Sequence, residues 1–309
     1  MPGTLARNGC GGRVAARGLV RALAAVAALV AAAGCAGPGP AAAPVPRPAV
    51  EPARLTALHA LPPVTALLFT SHRTGAEAQR KLAIACMAEG GHRYAPAPPS
   101  EAAGGADERP QPFGIESAAP RRAAAATSSE TPPAPGGPES TDAYARALFG
   151  REEKRVTAKG VRISVSRPGE GCLAEAETRM FGDGRMRWLQ VRILLFEAQE
   201  EARRDVEKDP VFREATVRWR ECMDRARIKA QDPVQVQESL RSPEEARTSP
   251  VVAADLGCKA ETGYLATAYE RLAAVQRRWL DGHPDVGADW KRLSARQDQA
   301  AAAVLGTRG

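Results

Sequence analysis

Residues 188–208 read WLQVRILLFEAQEEARRDVEK, and the fold class turns on whether their apolar half is a strand or the start of a helix. WLQVRILLF alone could pass for a buried strand. The charged continuation EAQEEARRDVEK has helical propensity and only helical spacing. One long helix from Arg185 to Lys208 therefore follows. Trp188, Val191 and Leu195 share a face, and Leu189, Ile193 and Phe196 widen it. Phe181-Gly182-Asp183-Gly184 marks a break before it, with Asp183 read as a turn residue.

The chain downstream repeats the helical pattern. Asp209-Pro210 is an N-cap followed by proline at the first helical position. Phe212, Ala215, Trp219, Cys222 and Met223 then fall on one helical face. Ser242-Pro243-Glu244-Glu245 has the form of a capping box, and Ser249-Pro250 is another start signal. From there a helix is expected to run to Leu280, because Leu265, Ala268, Leu272, Val275 and Trp279 keep the spacing of a packing seam. His283-Pro284 breaks it, and Asp285–Val304 forms a last helix.

Upstream the period changes. In KRVTAKGVRISVS (154–166), Val161, Ile163 and Val165 alternate with Arg162 and Ser164, and Lys159-Gly160 can turn the chain. That pattern predicts a short β-hairpin. Pro168-Gly169 and Gly171 then lead to Cys172 and a helix through Met180. TDAYARALFG (141–150) has a capping threonine, helix formers and a terminal glycine. AEAQRKLAIACMAEGG (76–91) reads as a further helix, with Leu82, Cys86 and Met87 on one face and Gly90-Gly91 as its stop.

Two stretches cannot bury a core. Residues 35–75 open with AGPGPAAAPVPRPAVEP after Cys35 and are expected to form an extended Pro/Ala-rich tether. Residues 95–140, which include APAPPSEAAGG and TSSETPPAPGGPES, are expected to be a disordered linker. The expected organisation is a leader at 1–34, the tether, a docked helix at 76–94, the linker, and a helical domain at 141–309. The fold class is mainly α: a small helical bundle with one short β-hairpin.

The leader has its own logic. Arg7, Arg13, Arg17 and Arg21 precede the apolar run Ala22–Ala33, which is too short to span a bilayer comfortably and fits an export signal. Ala32-Ala33-Gly34-Cys35 resembles the lipobox of bacterial lipoproteins. That resemblance implies a diacylglyceryl group on the Cys35 sulfur, with cleavage between Gly34 and Cys35. Ala32 departs from it, since leucine is commonest there. An ordinary secretory cut at a neighbouring alanine is the alternative and would give a secreted protein. A single acyl chain holds a protein to a membrane with a binding constant of only about 10⁴ M⁻¹, whereas two or three on one cysteine make release negligible.

Removal of this leader changes the charge argument. The whole chain has 43 basic and 36 acidic residues, a net of +7. Four basic residues and no acidic ones precede Cys35, so the mature chain carries 39 against 36, a net of +3. The basic balance therefore gives no ground for nucleic-acid binding.

Cys10 falls in the leader and Cys35 is assigned to the lipid. Cys86, Cys172, Cys222 and Cys258 remain, an even number for an oxidising compartment. ACMAEGGHRY around Cys86 resembles ECMDRARIKA around Cys222, and DLGCKAETGY around Cys258 has a similar setting. Behind a lipobox, this series of Cys-Met helices is similar to a group of actinobacterial lipoproteins with no established activity. The resemblance covers most of residues 76–280. It departs at Asp224-Arg225-Ala226-Arg227, since a glycine is usual after Cys-Met. It implies location and architecture, not chemistry. Four cysteines allow three pairings. The favoured pairing is Cys222–Cys258 with Cys86–Cys172, which would staple two successive helices and tether the 76–94 helix to the body; the alternative, Cys86–Cys222 with Cys172–Cys258, would join the two similar helices.

No reactive constellation is visible. The nucleophile elbow, His-Glu-x-x-His, the phosphate-binding loop and the dinucleotide fingerprint are absent from the sequence. There is no Cys-x-x-Cys, and His59, His72, His92 and His283 are scattered over tethers and loops, so no metal and no cofactor is expected. Glu152-Glu153 and Glu200-Glu201 are adjacent acids, whereas a glycosidase needs carboxyls facing across a cleft about 5–10 Å wide. Trp188, Trp219, Trp279 and Trp290 are expected mainly in the core. The reading is a non-catalytic envelope lipoprotein on the extracellular side of the cell membrane. It would bind an envelope protein, a transporter or a cell-wall polymer. An envelope hydrolase acting on wall material is the alternative.

Overall fold

The computed structural model describes residues 61–70, 72–99, 109–117, 137–242 and 244–306. The leader with Gly34 and Cys35, the tether from 35 to 60, and residues 100–108 and 118–136 of the expected linker lie outside the described residues. Within them the fold is mainly α, with one two-stranded antiparallel sheet. In chain order the helices are α1 (Pro63–Leu68), α2 (Arg73–Glu89), α3 (Asp142–Phe149), α4 (Cys172–Phe181), α5 (Arg185–Val206), α6 (Pro210–Arg225), α7 (Pro233–Glu238), α8 (Glu245–Thr248), α9 (Pro250–Thr262), α10 (Tyr264–Gly282) and α11 (Pro284–Leu305). Strands β1 (Val156–Lys159) and β2 (Ser164–Arg167) lie between α3 and α4.

The 188–208 stretch is helical, as its polar half requires. α5 buries Trp188, Val191, Ile193 and Leu195, and further along Ala198, Ala202 and Val206. Phe196 is the exception: it is 47 % exposed, because it points away from the face that packs. α6 begins at the predicted cap, where the Asp209 carboxylate accepts hydrogen bonds from the Val211 and Phe212 amides. All five residues of its predicted face are buried, and Trp219 is fully so. Thr141 caps α3 by accepting from the Tyr144 amide at 3.2 Å.

Two clusters form the interior. One gathers Val64, Ala78, Met180, Phe181, Trp188, Val191, Leu195, Trp290 and Leu293 from α1, α2, α4, α5 and α11. The other gathers Phe113, Ala202, Val206, Phe212, Trp219, Tyr264, Leu265 and Leu272 from the segment 109–117, the end of α5, α6 and α10. Helix α5 contributes to both. Trp188 stacks on Trp290 and Phe181, with ring centroids at 4.7 and 5.0 Å.

Four expectations need correction. The helix expected from Pro250 to Leu280 is two helices, because Gly263 adopts the left-handed conformation (φ 63°) that L-residues avoid. The expected tether is structured from Pro63: α1 lies on α5 and α10, and Val64 is fully buried. α1 has no cap of its own. The Gln276 side chain of α10 serves instead, accepting from the Val64 and Thr65 amides at 2.9 and 3.2 Å. The expected linker contains a docked segment, 109–117, in which Phe113 and Ile115 are buried. The docked helix starts at Arg73 rather than at 76.

The hairpin is present in a different register from the alternation that predicted it. The ladder pairs Val156 with Arg167 and Lys159 with Ser164, so Val161 and Ile163 fall in the connecting loop. Val161 is 83 % exposed. The loop is held by Glu197 of α5, whose carboxylate accepts from the Val161, Arg162 and Ile163 amides at 2.7, 2.6 and 2.7 Å. Burial works to raise the Glu197 pKa, but the three backbone donors outweigh it and hold the carboxyl below the ordinary range.

A carboxyl with a depressed folded-state pKa stabilises the fold above its unfolded-state value, and that contribution is lost as pH falls through the folded-state value. Glu197→Gln should therefore lower stability by about 2–4 kcal/mol at neutral pH. The difference from the native chain should shrink below about pH 4. Denaturant melts at the two pH values measure both, and amide exchange at residues 161–163 should accelerate in the variant.

Candidate functional site

The cysteines are joined as Cys86–Cys172 and Cys222–Cys258, the pairing favoured from the sequence, with Cα separations of 5.5 and 5.6 Å. The other connectivity, Cys86–Cys222 with Cys172–Cys258, is not formed. The first bridge links α2 to the first turn of α4, beside a small cluster of Met87, Tyr144 and Leu148. The second links α6 to α9 within the cluster around Trp219.

Beside that second bridge lies a buried polar network absent from the sequence reading. Asp255 and Lys259, one turn apart on α9, are essentially inaccessible and pair at 2.8 Å. Trp219 Nε1 donates to Asp255 at 3.0 Å. Lys259 Nζ also donates to the Ile115 carbonyl at 2.6 Å, which fastens the 109–117 segment to α9. Around the same segment Arg109 pairs with Glu116, and Tyr269 OH accepts from Arg109 at 2.7 Å while donating to Glu116. Burial pushes Asp255 up and Lys259 down, each against the attraction of its partner. Burial likewise raises the Tyr269 hydroxyl far above the usual phenol range, and Glu116 adds to it. The arrangement is a clamp: the carboxylate raised by burial, Asp255, is enclosed by Trp219 and Lys259 and faces no cleft.

The remaining candidates are separated. Glu152 and Glu153 lie on an exposed 3₁₀ turn, and Asp183 is exposed in the turn before α5. Glu200 and Glu201 sit one residue apart on α5, where adjacent side chains diverge. Trp188, Trp219 and Trp290 are buried, and Trp279 is half-buried against the first cluster. Among the described residues no group of three or more His, Cys, Asp and Glu side chains is placed to hold a metal ion. No helix among them is long and apolar enough to cross a membrane.

Two of the clefts on the surface of the described residues bear on binding. One, of about 510 Å³, is bordered by Phe113, Arg203, Phe212, Asp232, Glu238 and Tyr264. Its charges are mixed, and Asp232 is already engaged as the cap of α7, accepting from the Val234 and Gln235 amides.

The other cleft, of about 350 Å³, is predominantly basic, with Arg167 from β2, Arg185 and Arg192 from α5, and Glu177 from α4. Arg185 pairs with Glu177 at 2.7 Å and donates to the Pro168 carbonyl at 2.5 Å. Its floor includes Trp188, His72 and Gln297. The His72 ring packs edge-on to Trp188 and Trp290, with centroids at 5.6 and 5.5 Å. Desolvation lowers the His72 pKa, the Arg192 charge lowers it further, and Asp298 opposes both. The neutral ring therefore dominates at pH 7.

The chain matches no protein-family model, no curated protein and no solved structure. The sequence reading did not single out this cleft. Arg167, Arg185 and Arg192 look like ordinary surface arginines, and only the packing of the hairpin on α5, through β1, brings them to one opening.

Each disulfide closes a loop of 86 or 36 residues, for which chain entropy gives about 4–5 kcal/mol. Peptide mapping without reduction should recover the 86–172 and 222–258 pairs. Substituting either pair with alanine should lower stability by an amount of that order. Lys259→Met should cost about 3–5 kcal/mol, because Asp255 is left buried and uncompensated. Limited proteolysis in the same variant should then cut near residues 109–117 first.

Proposed function

We propose that the protein is a non-catalytic, lipid-anchored cell-envelope protein whose helical body binds an envelope component. The observation that supports this best is that all four cysteines of the described body are paired in disulfides. Paired cysteines of this kind persist in oxidising compartments. They fit an exported chain, as the export-like leader and the lipobox-like Ala32-Ala33-Gly34-Cys35 require. In this reading a diacylglyceryl thioether at Cys35 fixes the mature chain to the extracellular side of the cell membrane. The Pro/Ala-rich residues that follow carry the body away from the surface.

The clefts favour binding over catalysis. Three polar groups that burial perturbs, Asp255, Lys259 and Tyr269, are engaged in holding the 109–117 segment. The basic cleft offers donors and an aromatic floor, without a nucleophile–base pair.

Cys35→Ala should move the protein from the membrane fraction to the soluble fraction. Intact-mass analysis of the native protein should show cleavage before Cys35 and the mass of a diacylglyceryl group on it. A mature chain with a free Cys35 thiol, or a Cys35→Ala variant that stays membrane-bound after processing, would overturn the anchor.

A further inference from the structure

The basic cleft has properties that core packing does not explain. Among the described residues, the Arg167 and Arg192 side chains form no hydrogen bond and no ion pair. They stand close enough for the Arg167 charge to depress Arg192, in addition to the larger effect of desolvation. Two like charges facing each other without an acid between them are unfavourable on their own. The carboxylate of the cleft, Glu177, is taken by Arg185. Asp298, exposed on α11, acts on His72.

Below the arginines the floor carries orphaned polar atoms. Gln297 is 5 % exposed, and its Oε1 has no hydrogen-bond partner. A buried acceptor left in this state is unfavourable. The position is built for that side chain. Gly75 of α2 lies directly against the Gln297 carboxamide, and a Cβ there would collide with it. His72 Nε2 is also buried and without a partner. Phe181 and Trp188 also line the opening, with the Trp188 ring stacked on both Phe181 and Trp290.

We infer that this cleft binds a hydroxyl-bearing phosphate: Arg167 and Arg192 hold the oxyanion, and Gln297 Oε1 accepts a hydroxyl hydrogen. Paired guanidinium forks match phosphate oxygens, which also remove the repulsion between the two arginines. A hydroxyl is a donor of the kind that Gln297 Oε1 lacks, and His72 Nε2 can meet a second one. Ligand binding is noncovalent, and no bond is made or broken. The inference rests on the reading of the protein as an envelope binding module, but not on its anchor. A polyol phosphate has two sources, a free solute or a repeating unit of an envelope polymer.

Calorimetric titration of the full chain in detergent tests this with three probes: inorganic phosphate, sn-glycerol 3-phosphate and a short poly(glycerol phosphate). Glycerol phosphate should bind more tightly than inorganic phosphate. Tighter binding of the oligomer per unit identifies the polymer as the source, and equal binding identifies the solute. Arg167→Ala and Arg192→Ala should each weaken binding about tenfold or more. Both side chains are exposed and unpaired, so the melting temperature should hold. Gln297→Leu should abolish the preference for glycerol phosphate over inorganic phosphate. The inference is overturned if no probe binds at millimolar concentration, if the arginine variants bind as the native chain does, or if inorganic phosphate binds as well as glycerol phosphate. The titration does not involve Cys35, so its failure is separate from failure of the anchor.

Discussion

The apolar face of α5 is the constraint on which the rest of the structure depends. Its 22 residues extend over about 33 Å. The first part, from Trp188 to Ala198, belongs to one hydrophobic cluster, and Ala202 and Val206 belong to the other. α1, α10 and α11 pack on it directly, and β1 lies along it. Neither cluster would be covered if this stretch were a strand, because alternation would turn half of its apolar residues outward. The disulfides are distributed accordingly. Cys86–Cys172 ties α2 to α4 on one side, and Cys222–Cys258 ties α6 to α9 on the other.

A second theme is the use of long polar side chains to dock segments with little structure of their own. Gln276 supplies the missing cap of α1 from 212 residues away. Lys259 takes the Ile115 carbonyl from 144 residues away, and Glu197 gathers the hairpin loop from 36 residues away. Each is buried, and each directs its polar atoms to backbone groups that would otherwise be unpaired. Lys259 shows how such a group is tolerated. Its charge is out of water, and Asp255 offsets part of the desolvation, while Trp219 orients Asp255. The same design explains why residues 109–117 leave the expected linker and pack Phe113 against Phe212 and Tyr269, at 5.5 and 5.2 Å.

The basic cleft follows from these constraints. The Glu197 contact and the hydrogen bond from Gln190 to the Lys159 carbonyl, at 3.0 Å, hold the hairpin along α5. That placement brings Arg167 at the end of β2 into the opening that Arg185 and Arg192 line. α2 and α11 close the floor with His72 and Gln297. The opening is thus assembled by the same contacts that set the fold. Arg185 takes the cleft's carboxylate, Glu177, and Glu197 is engaged by the hairpin loop, so neither acid pairs with Arg167 or Arg192.

What the sequence by itself determined was local: helix type, caps and buried faces. Asp209-Pro210, Thr141 and the face Phe212–Ala215–Trp219–Cys222–Met223 are legible because propensity, capping and period act within a few residues. The disulfide cysteines were legible as a set, and the pairing favoured from the sequence is the one formed; the alternative stayed open because pairing depends on which helices meet. The hairpin was legible as an element and misread in register, because Glu197 holds the Val161, Arg162 and Ile163 amides in the loop, outside the ladder. Only the tertiary structure decided the fate of α1, the 109–117 segment and the basic cleft. Their partners, Gln276, Lys259 and the converging arginines, lie far away in the chain, and no local period records a contact between distant residues.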